Sequence, residues 1–386
     1  MEDIMITGSK ELIRDINSHL VLESIVNNGP ISRADLAKAL GLTKATISAI
    51  VQVLMDEHLV IEIGSAKTDK GRKPILLDLN QSGGHVISLD VSVDYITVLT
   101  SDLKGTHCFV KQYKNSSHDL EILPILISII EKTIEGLTPT VHGVVGISIG
   151  IHGVVHNNHV MFTPYYSIKE ENLSDSLSEH FHVPVYMDNE ANLSVLGERT
   201  FYFDYPNIIN LSIHSGIGMG ILIDDQLYTG YNGYAGEFGH TIIVPDGRAC
   251  PCGNHGCFEQ YASERAILKD YARRKASTEV SIDALIRSYQ AQDSDALEVI
   301  QQFVKYMAIG INNILNTFNP NLIVINSAFT MYIPDITKQI QESLCNRMDK
   351  YCTILPSGLQ DTAILLGGAC VVIKNFLGID KMILKP

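Results

Sequence analysis

One short stretch of this chain holds three of its seven cysteines within eight positions. Cys250, Cys252 and Cys257 follow His240 in the string HTIIVPDGRACPCGNHGCFE, while the other cysteines are scattered. Scattered cysteines argue against a disulfide framework. Three thiolates and one imidazole are four ligands that suit a closed tetrahedral Zn2+ site. The sequence therefore predicts one structural zinc ion held by these four residues. A zinc hydrolase is disfavoured because a closed site has no position open for water.

Length and composition predict two or three packed domains. The chain has 386 residues, of which 45% are hydrophobic and 19% charged, so it is neither disordered nor embedded in a membrane. Its first residues, MEDIMITGSKEL, contain no apolar core of signal-peptide length. The longest apolar run, Ile122 to Ile130, is too short to cross a bilayer. We therefore expect a cytoplasmic protein without a membrane partner.

The net charge of −14 argues by itself against a nucleic-acid-binding protein, since phosphate binding needs clustered lysines and arginines. The distribution of charge matters more than the total. Residues 1–80 contain nine basic and eleven acidic side chains, so most of the excess acid lies in the remainder of the chain.

Two short helices joined by a glycine turn are indicated near the N-terminus. A first helix, with apolar residues at helical spacing from His19 to Asn27, ends at Gly29-Pro30. Ser32 can cap a second helix that Gly41 ends, and Thr43 can cap a third. The third begins with small polar and basic residues, which is typical of the recognition helix of a helix-turn-helix. A plain three-helix bundle is the alternative.

A basic loop between two strands favours the DNA-binding interpretation. Residues 59–63 and 75–79 have strand character and flank the string GSAKTDKGRKP, which could lie as a wing in a minor groove. The candidate DNA-binding residues are Ser32, Lys44, Ala45, Thr46, Ser48, Lys70, Arg72 and Lys73.

From residue 86 onward, segments of strand and helix character alternate, which indicates an α/β fold. Together with the GRKP wing and the zinc string, this pattern resembles the ROK family (repressors, open reading frames and kinases). The resemblance implies an N-terminal winged helix-turn-helix followed by a two-lobed, actin-like sugar-kinase fold. The implied domains are residues 1–82, a first lobe of residues 83–200 plus 371–386, and a second lobe of residues 201–370 with the zinc site and a dimerisation surface.

Three further strings match positions at which the family binds sugars: DNEAN, GYAGEFGH and GCFE. Carboxylates and amides at such positions can exchange hydrogen bonds with vicinal hydroxyls. By resemblance, the sugar-binding residues are Asn189, Glu190, Glu237, His240, Glu259 and Gly153, with His152 as a weaker candidate. Taken singly, each of the acids could instead be a solvated side chain or a helix cap.

Several features that the family's kinases need are altered. Glu190 stands where those kinases have the aspartate that acts as base, and a longer side chain would displace the carboxylate by about 1 Å. The first phosphate turn reads Asp90 to Asp94 without its glycine, and Asn326-Ser327-Ala328 replaces the glycines beside adenosine. The turn Ser215 to Gly220 keeps its glycines and is ambiguous. We therefore expect no enzymatic activity.

The resemblance implies a sugar-responsive transcriptional repressor of a xylose utilisation operon, because the string TPYYSIKEENL and the missing adenosine glycines resemble the family's xylose-responsive branch. The expected partners are palindromic operator DNA, D-xylose as the inducer that releases it, and a second copy of the chain, with tetramers left open. Glucose is a competitor for the same pocket. The alternative is a ROK sugar kinase with an accessory DNA-binding module, which sugar-dependent ADP release would reveal.

Overall fold

A computed structural model describes residues 10–65, 74–115, 121–163, 172–344, 350 and 352–384 of the chain. These residues form two compact units. The first comprises the described residues of Met1–Ile149, Tyr166–Tyr186 and Gly368–Pro386. The second comprises those of Gly150–Tyr165 and Met187–Gly367.

The first unit begins with a winged helix-turn-helix, as the sequence predicts. Its elements are α1 (Lys10–Asn28), β1 (Ile31–Ser32), α2 (Arg33–Leu40), α3 (Lys44–Asp56), β2 (Val60–Ser65) and β3 (Ile75–Leu79). Gly41 takes a φ of +67° between α2 and α3, a conformation that a residue with a side chain adopts at a cost. The strands pair in the order β1-β3-β2. Ile47, Val51 and Leu36 bury the inner faces of the two helices.

The wing itself lies outside the described residues. Strands β2 and β3 pair antiparallel on either side of residues 66–73, which include Lys70, Arg72 and Lys73. The pairing of these two strands agrees with a wing, whereas the positions of its basic side chains stay a prediction.

The rest of the first unit is built on a five-stranded sheet of order β10-β7-β4-β5-β6. Its elements are β4 (His85–Val91), β5 (Tyr95–Ser101), β6 (Phe109–Lys114), α4 (Ile122–Glu135), β7 (Val144–Ile151), α5 (Leu173–Phe181) and β10 (Val185–Asn189). The last helix, α13 (Ala363–Leu377), begins in the second unit and continues into the first. By length and composition the segment Gln360–Leu377 could cross a membrane, but 56% of it is buried within the fold, as in a core helix.

The second unit is built on a sheet of order β13-β12-β11-β14-β15. Its strands are β8 (Val154–His156), β9 (His159–Phe162), β11 (Ile208–Ile213), β12 (Ile217–Ile223), β13 (Gln226–Leu227), β14 (Leu322–Asn326) and β15 (Thr353–Pro356). Its helices are α6 (Glu190–Phe201), α7 (Glu259–Ala262), α8 (Glu264–Arg274), α9 (Ile282–Gln290), α10 (Ser294–Phe318), α11 (Ala328–Tyr332) and α12 (Ile336–Glu342). The long helix α10 packs against one face of the sheet through residues such as Phe303 and Ile311, and α6 covers the other face.

The two units differ from the domain limits expected from the sequence. The winged helix is grouped with the first lobe, residues 150–165 and 187–200 are grouped with the second, and the last boundary falls between Gly367 and Gly368. The reason is that α6 packs on β11 and β12, so its residues share the core of the second sheet. The three expected domains stay a prediction.

Candidate functional site

A cavity of about 130 Å3 lies in the second unit beside the hairpin of β11 and β12. Its wall combines the turn after β7, the start of α6, the short 3-10 turn Phe238–His240 and the start of α7. It is lined by all the residues that the family resemblance assigns to sugar binding: Asn189, Glu190, Glu237, His240, Glu259 and Gly153. The weaker candidate His152 also lines it. The fold thus gathers residues that are far apart in the sequence, and their binding of a sugar stays a prediction.

Asn189 is the residue that shapes one wall of this cavity. As the N-cap of α6, it accepts the backbone N–H of Ala191 at 2.8 Å through its side-chain oxygen. Its amide nitrogen donates to the carbonyl of Gly153 at 2.7 Å. Both ends of the amide are therefore engaged, so Asn189 joins the turn at Gly153 to the start of the helix.

Glu190 is buried at the start of α6, with only 7% of its surface exposed. Its Oε2 atom has no hydrogen-bond partner among the described residues. A Cβ atom at Gly218 would lie 2.6 Å from Glu190 Oε1, so glycine at that position leaves room for the carboxylate. A buried acceptor without a partner is costly, and a ligand hydroxyl in the cavity would satisfy it.

The glycines of the turn Ser215 to Gly220, which the sequence left ambiguous, also leave room for neighbouring groups. A Cβ at Gly216 would lie 3.1 Å from Glu259 Oε2, and a Cβ at Gly220 would overlap the carbonyl oxygen of Ala191 on α6. Gly216, just before β12, therefore leaves space for the Glu259 carboxylate, and Gly220 on β12 allows α6 to pack closely. This structural requirement explains their presence without a nucleotide.

Two carboxylates lie beside the imidazole of His240. Glu237 Oε2 lies 3.6 Å from His240 Nε2, and Glu259 Oε1 lies 3.9 Å from His240 Nδ1. Burial raises the pKa of Glu237, the nearby His240 lowers it, and the charges of Glu259 and Glu190 raise it further. Such a group of acceptors is suited to a ligand that carries several hydroxyl donors.

The four expected metal ligands also lie together. The donor atoms of His240, Cys250, Cys252 and Cys257 are all within 4.8 Å of one another. Cys252 Sγ lies 3.7 Å from Cys257 Sγ, and Cys250 Sγ lies 3.6 Å from His240 Nδ1. In a tetrahedral zinc site with bonds of about 2.0–2.3 Å, neighbouring donor atoms are separated by about 3.3–3.8 Å. The Cys252–Cys257 and Cys250–His240 separations fall in this range, so the cluster could hold a metal ion.

His240 contacts both the Glu237 carboxylate of the cavity and the metal cluster, through different ring nitrogens. Its Nδ1 faces Cys250 and its Nε2 faces the Glu237 carboxylate. A ring nitrogen that binds a metal leaves the other free to interact with a carboxylate, which fixes the orientation of the ring. The double assignment of His240 to the metal and to the sugar is therefore geometrically consistent.

The helix-turn-helix presents part of the expected DNA-binding surface. Lys44, Ala45 and Ser48 are exposed at the start of α3, and Thr46 is half-buried. Ser32, in contrast, is buried, and its hydroxyl accepts the N–H of Asp35 and donates to the Asp35 carboxylate. This side chain is used as the cap of α2, and the contact of Ser32 with DNA stays a prediction.

The residues Asn326, Ser327 and Ala328, which stand where the family has glycines beside adenosine, are contacted by polar groups of the protein itself. Glu264 accepts the backbone N–H of Ala328 at 2.7 Å and the hydroxyl of Ser327 at 3.0 Å. Burial raises the pKa of Glu264, and the nearby His214 lowers it. Asn326 donates its amide to the carbonyl of Gln360 at 3.2 Å. These donors are therefore already used by the protein.

Comparison with known sequences explains why these features occur together. The sequence model described as the ROK family matches residues 86–375, which is most of the chain. The chain belongs to the ROK family. In addition, residues 15–70, at the N-terminus of this ROK protein, match the model of the MarR family.

The similarity to individual ROK proteins extends over nearly the whole chain. The xylose repressor of Bacillus spizizenii is 37% identical over 383 residues, which cover 97% of this chain and 99% of the relative. The xylose repressor of Bacillus subtilis is 35% identical over 97% of this chain and 99% of its own length. The crystal structure of a ROK transcriptional regulator, a homologue of the Escherichia coli MLC protein, has a TM-score of 0.80 at 29% identity and covers 95% of this chain and 96% of its own.

The ROK kinases share the fold of the C-terminal part. A ROK glucokinase from Streptomyces griseus, solved with glucose and AMPPNP, has a TM-score of 0.66 at 23% identity, and the match covers 75% of this chain and 99% of the kinase. At this identity the likeness shows the fold alone.

Sequence reasoning missed several residues that line the cavity, among them Phe162, Ser212 and His214. Asn210, Ser212 and His214 alternate with apolar residues in and just after β11, which is the signal that could have revealed a polar face. Tyr165 and Tyr166, in the string TPYYSIKEENL, lie outside the described residues.

Proposed function

We propose that this ROK protein is a sugar-responsive transcriptional repressor of a xylose utilisation operon. It binds palindromic operator DNA as a homodimer in the cytoplasm, and D-xylose releases it. The observation that carries this proposal is a winged helix with an exposed recognition surface in the same chain as a cavity lined by Glu190, Glu237 and Glu259. The similarity to two xylose repressors over nearly their full lengths supports the same function and the choice of sugar.

The chemistry of the cavity supports a neutral polyhydroxy ligand. Its carboxylates repel one another and would repel a phosphorylated or acidic ligand. Sugar hydroxyls donate to carboxylates, and the unpaired Oε2 of Glu190 offers such an acceptor. The small volume of the cavity suits a monosaccharide better than a longer saccharide.

Zn2+ is the metal that best fits the four-ligand cluster. Its sulfur and nitrogen donors are those that zinc prefers, and four protein ligands leave no position open for a reactive water molecule. When bound, zinc supplies a rigid cross-link between the loop of Cys250 to Cys257 and the turn at His240. The His240 ring would then be held beside Glu237, which orients that wall of the cavity.

Release of DNA follows from linkage. If the sugar binds the DNA-incompetent state more tightly, operator DNA must weaken sugar binding by the same factor. A dimer reads two half-sites at a fixed separation, so a modest change in the distance or tilt between two winged helices ends simultaneous contact. The sugar therefore needs no chemical step to act.

A sugar kinase is the alternative that the shared fold raises. The contacts of Glu264 with Ser327 and Ala328 oppose nucleotide binding, and Glu190 stands where the kinases have aspartate. We therefore expect D-xylose to raise the melting temperature of the purified protein and Mg-ATP to have no effect. A coupled ADP-release assay with D-xylose and D-glucose should give only background rates, and sugar-dependent ADP production would favour the kinase.

A further inference from the structure

Ser212 is a polar residue on a central strand of the sheet of the second unit, at the cavity. Ser212 on β11 pairs with Gly218 on β12 on one side and with Asn326 on β14 on the other. Two residues earlier, Asn210 projects from the same face of β11 and donates to Ser194 on α6 at 3.0 Å. Ser212 therefore faces the side of the sheet that α6 covers, where Glu190 begins the helix.

The Ser212 hydroxyl is buried and has no partner. Only 2% of the residue is exposed, and its Oγ makes no hydrogen bond among the described residues. Native proteins rarely leave a buried hydroxyl unsatisfied, and each such case requires an explanation. Glu190 Oε2, on the wall of the same cavity, is also buried without a partner.

These two unsatisfied groups are close neighbours. Glu190 Oε1 lies 2.6 Å from the position that a Cβ at Gly218 would take, so the carboxylate is in close contact with this strand position. Directly paired residues of an antiparallel sheet have Cβ positions about 4.5–5.5 Å apart. The Ser212 side chain therefore lies on the same face of the sheet as the Glu190 carboxylate, beside the position that Gly218 leaves open for it.

The two groups are also chemically complementary. An ionised carboxylate only accepts hydrogen bonds, whereas a serine hydroxyl can donate one. A hydroxyl group between them can donate its hydrogen to Glu190 and accept one from Ser212. The neighbouring amide nitrogens are already engaged, since Asn210 donates to Ser194 and Asn326 donates to the carbonyl of Gln360. Asn210 Oδ1 is a further buried acceptor without a partner among the described residues, and it lacks the charge that makes Glu190 the stronger acceptor.

We propose that Ser212 is a further ligand-binding residue of the cavity, which holds one sugar hydroxyl between its Oγ and Glu190 Oε2. This inference rests on the proposed sugar-binding function and adds to it a residue that the family resemblance did not supply. It assigns the unsatisfied Ser212 hydroxyl a role in the ligand complex and none in the stability of the free protein.

Ser212→Ala separates these two roles. Isothermal titration calorimetry with D-xylose should show affinity lowered about fivefold, the effect of removing one hydrogen bond between neutral groups. The melting temperature without sugar should not fall, because no hydrogen bond of the free protein is removed. Ser88→Ala is the matched control, since Ser88 is also fully buried with an unpartnered hydroxyl but lies on β4, outside the cavity. Its D-xylose affinity should equal that of the wild type.

Monodeoxy analogues of D-xylose identify the hydroxyl involved. One analogue should bind the wild type more weakly than D-xylose does but bind Ser212→Ala and the wild type equally, because the shared hydrogen bond is already absent. Unchanged D-xylose affinity in Ser212→Ala, or purely additive effects for every analogue, would overturn the assignment of Ser212. If the wild type bound D-xylose and Glu190→Gln weakened it while Ser212→Ala did not, only this inference would fail. Absence of D-xylose binding by the wild type would overturn the proposed function as well.

Discussion

The carboxylate of Glu23 accepts the backbone N–H of Asp380 at 2.9 Å, and the same oxygen accepts that of Lys381 at 2.9 Å. Asn27, one turn later on α1, donates to the carbonyl of Lys381 at 2.8 Å and accepts the N–H of Ile383 at 2.7 Å. The first helix of the winged helix-turn-helix is therefore hydrogen-bonded to the segment that follows α13. The helix α13 begins in the second unit and continues into the first. If the proposed sugar response passes along α13, these hydrogen bonds are where it would reach α1.

Removal of the hydrogen bonds made by Glu23 and Asn27 should uncouple sugar binding from operator binding. In the double variant Glu23→Ala, Asn27→Ala, D-xylose should still bind with wild-type affinity, because neither residue lies in the cavity. The factor by which D-xylose weakens operator binding, typically about 5- to 150-fold in allosteric proteins, should fall towards one. Calorimetry and operator anisotropy measure the two effects, and a full sugar response in the double variant would exclude this route.

The DNA-binding surface predicts a specific salt dependence. The triple variant Lys44→Ala, Arg72→Ala, Lys73→Ala should weaken operator binding and reduce the slope of log K against log salt by about 0.9 for each phosphate that the variant no longer neutralises. Lys338→Ala is the control, since this exposed lysine on α12 lies outside the winged helix. An unchanged operator affinity of the triple variant in a salt titration would refute this docking surface.

The metal cluster predicts one bound zinc ion per chain. Cys252→Ser should lose zinc, melt at a lower temperature and respond less to D-xylose, because the loop that orients His240 would lose its cross-link. Cys108→Ser should keep zinc, as this cysteine donates to the carbonyl of Gly105 and lies outside the cluster. Metal analysis of protein prepared without added zinc gives the stoichiometry, and a metal-free, fully stable wild type would contradict the assignment.

Glu198 predicts how stability depends on pH. Burial raises its pKa, although the hydrogen bonds from Ser357, Gly358 and Leu359 lower it. A raised pKa means that the folded state binds the proton more tightly, so its stabilising effect is greatest below the ordinary value near 4.5 and is lost as pH rises through the folded pKa. Glu198→Gln should remove this contribution, so the difference in unfolding free energy between the two proteins should vary with pH above about 4.5. A constant difference in denaturant unfolding across that range would contradict the raised pKa.

The winged helix could be predicted because its signals are local. The Ser32 cap, the Gly41 turn and the Thr43 cap all lie where the sequence indicates. The first helix starts earlier than predicted, at Lys10, because Leu12 and Ile16 are exposed and give no pattern of one buried face. The sequence also predicts that Ser32 contacts DNA, and this second role stays a prediction, since the same position can serve as a helix cap and as a DNA contact.

The cavity was predictable only in part. Glu190, Glu237 and Glu259 were found because they stand in strings that resemble those of the family. Ser212 was missed because in the sequence it is one small residue of a buried strand. Its hydroxyl lacks a partner because Gly218 is its neighbour on β12 and α6 covers this face, and neither relationship can be read from the sequence. The expected domain limits stay a prediction, and the bounds of the two compact units depend on contacts between distant segments that the sequence does not show.

The most direct test of the proposed repressor is fluorescence anisotropy on labelled operator DNA, with and without D-xylose, for the wild type and Glu237→Ala. D-xylose should release the wild type, and Glu237→Ala should stay on the DNA in its presence because the cavity loses a carboxylate. Glu279→Ala, an exposed acid outside the cavity, should respond like the wild type. Operator affinity of the wild type that D-xylose leaves unchanged or strengthens would contradict the proposal.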